Sequence, residues 1–314
     1  METAIRLEHV NKHLGKKQVL KDLSFETYIG EVFGFLGPNG AGKTTTIKLL
    51  VGLLSMEEGN ISICGKDITG EFETAMAYVG GIVENPEMYG YMTGRQNLCQ
   101  YARMRKGVTQ ERIDEVVSLV GLSNRINEKV SKYSLGMRQR LGLAQCMLHH
   151  PKVLILDEPT NGLDPAGIRQ LRDILKHLAH QEGTCVFVSS HMLSEMELMC
   201  DRVGIIVDGR LAEVKTLQEM MTERRGDSVV YRYHAENPRL LMNAARQMEL
   251  QAEPGGEEMV EVQIPSGQEK QVLWELNRTL AENNIVFYSA APVESKKLED
   301  AFMELTGKEG EQIV

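Results

Sequence analysis

Two groups of residues in this 314-residue chain have the types and spacing to act on phosphates. The first is Gly37-Pro38-Asn39-Gly40-Ala41-Gly42-Lys43-Thr44-Thr45, which fits the pattern GxxxxGK[ST]. Its glycines let the backbone bend around an anion, so that several N–H groups and the positive end of a following helix point at a phosphate. Lys43 adds a mobile positive charge for the outer phosphates, and Thr44 a hydroxyl that can hold magnesium. The second group is Asp157-Glu158. Asp157 can hold magnesium directly or through water, and Glu158 can polarise the water that attacks a terminal phosphate. Alone, paired acids after an apolar run are as readily a solvated turn. Beside a phosphate loop they imply binding and hydrolysis of a nucleoside triphosphate.

The elements that must position these groups are legible around them. The apolar run Val32-Phe33-Gly34-Phe35-Leu36 predicts a buried strand before the loop, and a helix is expected from near Lys43 through Ile47, Leu49 and Leu50. Val153-Leu154-Ile155-Leu156 is continuously apolar, as a strand buried on both faces would be, and it ends at Asp157. A helix over Ile168–His180 and a strand over Cys185–Val188 follow. Strands alternating with helices predict an α/β fold with a mostly parallel sheet, whose strand ends collect ligand-handling groups.

The flanks differ in character. Ile5, Leu7 and Val10, then Val19-Leu20, Leu23, Phe25 and Tyr28, alternate around the turn Gly15-Lys16-Lys17 and predict an antiparallel β subdomain. A strand at Asn60–Cys64 and a turn at Gly65 follow, then a mostly helical region from about Gly94 to Gly121 and a helix from Ser134 to about Leu148. Beyond Asp208-Gly209 the sequence predicts a polar helix Leu217–Arg225 and a boundary at Gly226-Asp227. A small α+β C-terminal domain is expected after it: strand Ser228–His234, helix Pro238–Met248, turn Pro254-Gly255-Gly256, strand Met259–Ile264, helix Gln268–Leu280 and strand Ile285–Ser289. The expected domains are thus 1–225, with a helical insertion at about 94–150, and 226–314.

Composition narrows the function classes. A net charge of −9 argues against a general nucleic-acid binder, so no nucleic-acid partner is expected. No apolar run approaches the roughly 20 residues that span a bilayer, and the N-terminus lacks the build of a signal peptide, so a cytoplasmic chain is expected. Cys64, Cys99, Cys146, Cys185 and Cys200 are scattered and odd in number, without C-x-x-C spacing, and read as small buried apolar residues.

Further motifs stand in order along the chain. Tyr133-Ser134-Leu135-Gly136-Met137 precedes a helix, so a hydroxyl, free N–H groups and a helix end could receive a γ-phosphate; an ordinary N-capped helix would look the same locally. Asn161-Gly162-Leu163-Asp164 follows the acid pair, and His191 ends Ser189-Ser190-His191. With these, residues 4 to 215 resemble the ATP-binding subunits of ABC transporters, in which the three motifs are the signature peptide, the D-loop and the switch histidine.

The resemblance implies a P-loop NTPase core, ATP and Mg²⁺ as cofactors, and Glu158 and His191 as catalytic residues. It implies that Ser134, Leu135, Gly136 and Met137 serve the ATP of a second subunit, so that a homodimer or paired ATPase subunit is required. Integral membrane permease subunits are the implied partners, with the chain peripheral on the inner face of the cell membrane. Where the family usually has a glutamine that reaches magnesium, the matching residue is Glu84, which would join Thr44 and Asp157 as a metal ligand or else is a plain surface glutamate. Glutamate there resembles the bacitracin-resistance and lantibiotic-immunity branch, which implies export of an antimicrobial peptide, with an undefined exporter as fallback. The family's adenine-stacking aromatic is replaced by Leu14, with His13 adjacent; His13 or Tyr28 could substitute. Leu135 and Met137 replace the commonest glycine and glutamine of the signature. Pro86, Met88, Tyr89, Tyr91 and Met92 either line a permease-docking groove or are core, and Lys297–Gly307 resembles the closing helix of bacterial exporter ATPases. Two other readings stand beside this one. A soluble ABC ATPase acting without a membrane partner would usually carry two ATPase units or a long coiled coil, and this chain has neither. A regulatory subunit that binds ATP without hydrolysing it is opposed by intact Glu158 and His191.

Overall fold

The alternating apolar residues of the N-terminus form two long antiparallel strands, β1 (Thr3–Leu14) and β2 (Lys17–Tyr28), turning at Gly15-Lys16. Ile5, Leu7, Val10, Leu20, Leu23 and Phe25 all point into the core. The computed structural model describes residues 2–217, 219, 228–256 and 258–293, divided after Leu217 into two units. The helix expected over Leu217–Arg225 (apart from Leu217 and Glu219), the boundary at Gly226-Asp227 and the closing helix Lys297–Gly307 lie outside the described residues.

In the first unit, β3 (Val32–Leu36) is buried at every position and leads through the glycine loop into α1 (Lys43–Leu50). β4 (Glu58–Ile63) and β5 (Lys66–Asp67) complete a four-stranded sheet in the order β2-β1-β4-β5. After α2 (Phe72–Ala77) and β6 (Val79–Ile82) come α3 (Gly94–Arg103) and α4 (Gln110–Leu119), started by the side-chain caps Thr93 and Thr109. Then follow α5 (Leu135–Met147), β7 (Val153–Asp157), α6 (Pro165–His180), β8 (Cys185–Ser190), α7 (Leu193–Met199), β9 (Arg202–Val207) and β10 (Arg210–Thr216). The main sheet runs β10-β9-β3-β8-β7-β6, parallel except for its β10 edge.

The two sheets pack face to face through stacked rings. Phe25 of β2 meets Phe33 and Phe35 of β3 and Phe187 of β8 at centroid distances of 5.6, 5.4 and 6.0 Å. Pairs of this kind contribute about 0.5–1.5 kcal/mol beyond their area burial. The block so formed carries the loop after β3 and the acid pair at the end of β7 on the C-terminal side of the same parallel strands.

The short strand β6 was not anticipated, because Val79-Gly80-Gly81-Ile82 carries too little apolar pattern to announce a strand. Gly80 is needed for close packing: a Cβ there would lie 2.4 Å from the Cys146 carbonyl oxygen of α5. Gly80→Ala is therefore expected to cost about 1–3 kcal/mol through forced backbone displacement. At about 2–4 °C per kcal/mol for a domain of this size, the thermal midpoint should fall by several degrees. Calorimetry that finds the midpoint unmoved would contradict the packing described.

The second unit contains β11 (Ser228–Ala235), α8 (Pro238–Gln247), β12 (Ala252–Gly256), β13 (Met259–Pro265), α9 (Glu269–Glu282) and β14 (Phe287–Pro292). The strand order β12-β13-β11-β14, all antiparallel, with this element sequence is the split arrangement of ferredoxin-like domains. Tyr233, Val260, Val262, Leu241, Leu276 and Leu280 form its own core. Pro254-Gly255-Gly256, expected as a turn, belongs instead to β12. Among the described residues that strand pairs with β13 alone, and proline is tolerated on such an edge.

Candidate active site

The phosphate loop is held open by its glycines and anchored at both ends. Gly42 has φ +113, and a Cβ there would lie 2.7 Å from Leu20 Cδ2. Gly37 N–H donates to the Ser190 carbonyl at 3.4 Å, and Gly209 N–H to that of Ala41 at 3.0 Å. Lys43 begins α1 with its ammonium folded back on the loop, donating to the carbonyls of Gly37 at 2.7 Å and Pro38 at 3.2 Å. Burial pushes the Lys43 pKa down, while Glu158 and Asp157 pull it back. A cleft of about 360 Å³ opens over the loop, bounded by Asn39, Gly40, Gly42, Lys43, Thr44 and Thr45 and by Leu14, Lys17, Val19 and Glu158.

Parallel pairing brings the acids to this cleft. In register, Asp157 of β7 lies opposite Ser189 of β8, and Leu36 of β3 opposite Ser190. Asp157, 4% exposed, accepts from Ser189 Oγ at 2.7 Å and from Thr44 Oγ1 at 3.5 Å through the same Oδ1. Glu158 sits in the left-handed region at φ +45, a conformation that costs a non-glycine residue free energy and recurs at functional sites. Its N–H donates to Ser189 Oγ at 2.9 Å. Its Oε2 accepts from Asn161 Nδ2 at 2.5 Å and lies 3.1 Å from His191 Nδ1, while Oε1 is 3.6 Å from Lys43 Nζ. Burial alone would raise the Glu158 pKa, but the Asn161 hydrogen bond and the charges of His191 and Lys43 outweigh it and hold it below its ordinary value. Glu158 is thus an ionised base at neutral pH, while the hard oxygens of Thr44 and Asp157 lie side by side as a magnesium site needs.

The structure therefore joins Lys43, Thr44, Asp157, Glu158 and His191 in one chain of contacts, of which Lys43, Thr44 and Glu158 line the cleft while Asp157 touches Thr44 and His191 touches Glu158. Ser134, Leu135, Gly136 and Met137 do not line it. Ser134 caps α5, accepting from the Met137 N–H at 3.3 Å. Leu135 packs against Gly162, and Gly136 faces Leu163, so the signature peptide lies along the D-loop of its own chain. Asp164 caps α6 by accepting from the Gly167 N–H at 3.0 Å. Glu84, at φ +64, pairs with Lys48 Nζ at 2.9 Å. His13 turns to Glu57, through its ring at 2.8 Å and its N–H at 3.0 Å, and with Lys12 holds the Glu57 pKa down to about 2. Tyr28 lies under the Arg202 guanidinium at 4.8 Å. Of the three candidates to meet a base, only Leu14, 47% exposed, lines the cleft, joined by Lys17 and Val19, which sequence reasoning missed. Ser189 and Asn161 were also unassigned; the register of β7 on β8 reveals the first, and the two-residue turn after Glu158 the second.

This arrangement has known counterparts. A family model for ABC transporters matches residues 20–161. The ABC transporter ATP-binding protein YhcH of Bacillus subtilis (strain 168) is 49% identical over 313 residues, 100% of this chain and 99% of its own. The chain belongs to the ABC transporter ATP-binding family. As a member it is an ATP-binding, ATP-hydrolysing subunit of an ABC transporter. This ABC ATPase is also similar to the bacitracin transport ATP-binding protein BcrA of Bacillus licheniformis, at 43% identity over 68% of this chain and 70% of BcrA, and to the lantibiotic transport ATP-binding protein SrtF of Streptococcus pyogenes, at 38% over 66% of this chain and 88% of SrtF, which places it with the bacitracin and lantibiotic branch. A solved ATP-binding subunit of an ABC transporter superposes with a TM-score of 0.63 at 28% identity, covering 70% of this chain and 92% of that one. The membrane-partnered reading is favoured over a soluble ATPase, and no described helix of this chain is itself long and apolar enough to cross a membrane.

Proposed function

We propose that this ABC ATPase powers export of an antimicrobial peptide, working as a pair of chains beneath a membrane permease at the cytoplasmic face. The supporting observation for the chemistry is that Lys43, Thr44 and Glu158 line one cleft, with Asp157 in contact with Thr44 and His191 in contact with Glu158. On nucleotide arrival Lys43 exchanges the loop carbonyls for the outer phosphates, and Glu158 takes the proton of the attacking water while His191 holds its carboxylate. Thr44 and Asp157, with Glu84 when it leaves Lys48, would hold Mg²⁺, which neutralises charge on the phosphates. The γ-phosphate on the open side of the cleft is received by Ser134 to Met137 of a second chain, with Asp164 at the same junction, so that ATP favours the closed pair. Residues 1–225 form the ATPase domain in this account and 226–314 an accessory one. The substrate class rests on the similarity to BcrA and on Glu84.

Ser134→Arg tests the shared pocket. It should leave ATP binding to the isolated chain within about twofold, yet abolish ATP-driven pairing and lower turnover at least about tenfold. Normal pairing by sedimentation would contradict the assignment. For the substrate, cells carrying the chain with its permease should tolerate more of a bacitracin-like peptide, and Glu158→Gln should remove that tolerance. Equal sensitivity of the two strains would reject peptide export while leaving the ATPase chemistry standing.

A further inference from the structure

We infer that Glu195 is a positioning residue for hydrolysis, a carboxylate that ties the turn after Glu158 to the switch-histidine loop and so fixes the distance between Glu158 and His191. The inference rests on the catalytic roles proposed for those two residues. Glu158 and His191 belong to different loops, one after β7 and one after β8, and their 3.1 Å contact depends on both loops holding still. Side chains beside each of them converge on one atom. Thr160, two residues after Glu158, donates its hydroxyl to Glu195 Oε2 at 2.5 Å. Ser190, immediately before His191, places its hydroxyl 3.3 Å from the same oxygen while accepting from the Met192 N–H at 2.9 Å.

The location makes this clamp stiff. Thr160 and Ser190 are 4% and 2% exposed, and Glu195 stands in the first turn of α7, whose Leu193 and Met196 are packed in the core. Hydroxyls buried at this depth need their partners, so losing the acceptor leaves the Thr160 donor unsatisfied, turns the Ser190 hydroxyl to the Met192 carbonyl at 3.4 Å and unties the two loops from each other. A displacement of about 1 Å between catalytic groups is enough to cost about a hundredfold in rate, whereas binding through the phosphate loop is untouched. The requirement is for an acceptor at that point rather than for its charge, since both partners are neutral hydroxyls.

The test is steady-state ATPase kinetics of the full chain with thermal midpoints measured alongside. Glu195→Ala should lower kcat about 10- to 100-fold with KM for ATP within about twofold, the range found when outer partners of catalytic groups are removed. Glu195→Gln, whose amide oxygen can accept both hydroxyls, should recover at least about a third of wild-type kcat. Thr160→Val removes one strand of the clamp at little change in volume and should lower kcat in the same way, and the double variant with Glu195→Ala should be no slower than the slower single one. A normal kcat in Glu195→Ala, a change confined to KM, an equal loss in Glu195→Gln, or additive losses would each overturn the inference. Glu158→Gln measured in parallel separates the two readings. If it is inactive while Glu195→Ala is normal, only the clamp is wrong; if it turns over normally, the catalytic assignment and the clamp fail together.

Discussion

Glu158→Gln is expected to lower ATP turnover by about 10²–10⁴-fold while leaving ATP affinity nearly intact, because only the proton-accepting group is lost. The amide keeps an oxygen for the Asn161 and His191 contacts at 2.5 and 3.1 Å, so the loop should stay in place. With hydrolysis stalled, the closed pair has no route to reopening and should accumulate as a stable dimer in ATP–Mg²⁺. The measurement is single-turnover hydrolysis combined with size-exclusion chromatography. Near-normal hydrolysis would remove Glu158 from the role of base. The pH dependence has a defined sign: the folded pKa lies below the ordinary 4.5, so the base form is complete at neutral pH and is lost only as pH falls through that lowered value. An acid limb from Glu158 should therefore lie below about pH 4.5 and vanish in the glutamine variant.

Lys43→Ala acts one step earlier, on capture. The Lys43 ammonium is almost fully buried and has two loop carbonyls and the Glu158 carboxylate in reach, a set ready to be exchanged for phosphate oxygens. Charge-assisted hydrogen bonds contribute about 1.5–3 kcal/mol each, so losing two should weaken ATP binding by about 10²–10⁴-fold. Titration calorimetry with ATP measures this directly. Unchanged affinity would overturn the assignment of the loop, whatever happens to turnover.

Much of the fold was legible because its signals are local and strong. The runs Val32–Leu36 and Val153–Leu156 are apolar without interruption, as strands covered on both faces are, and the strands they form are buried at every position. Ser134 caps α5 where a helix was expected to begin, whereas α6 starts at Pro165, three residues before the expected Ile168, because Asp164 of the D-loop caps it. What stayed hidden depends on pairing across the sheet. Val79–Ile82 is a strand because β7 lies beside it, and Ser189 reaches Asp157 because β7 and β8 align in register; neither follows from neighbours in sequence. Partners set by the fold were likewise not legible for His13, Tyr28 and Glu84. In the fold they meet Glu57, Arg202 and Lys48.

The central claim is that one chain holds only half of each working pocket, since the signature peptide of Ser134 lies along its own D-loop and outside its own phosphate cleft. ATPase rate per chain, followed by dilution of the isolated protein at saturating ATP–Mg²⁺ with sedimentation run in parallel, tests it most directly. The account predicts that the rate per chain falls as the pairs dissociate and approaches background when only monomers remain. A rate per chain that stays constant down to fully monomeric protein would contradict it.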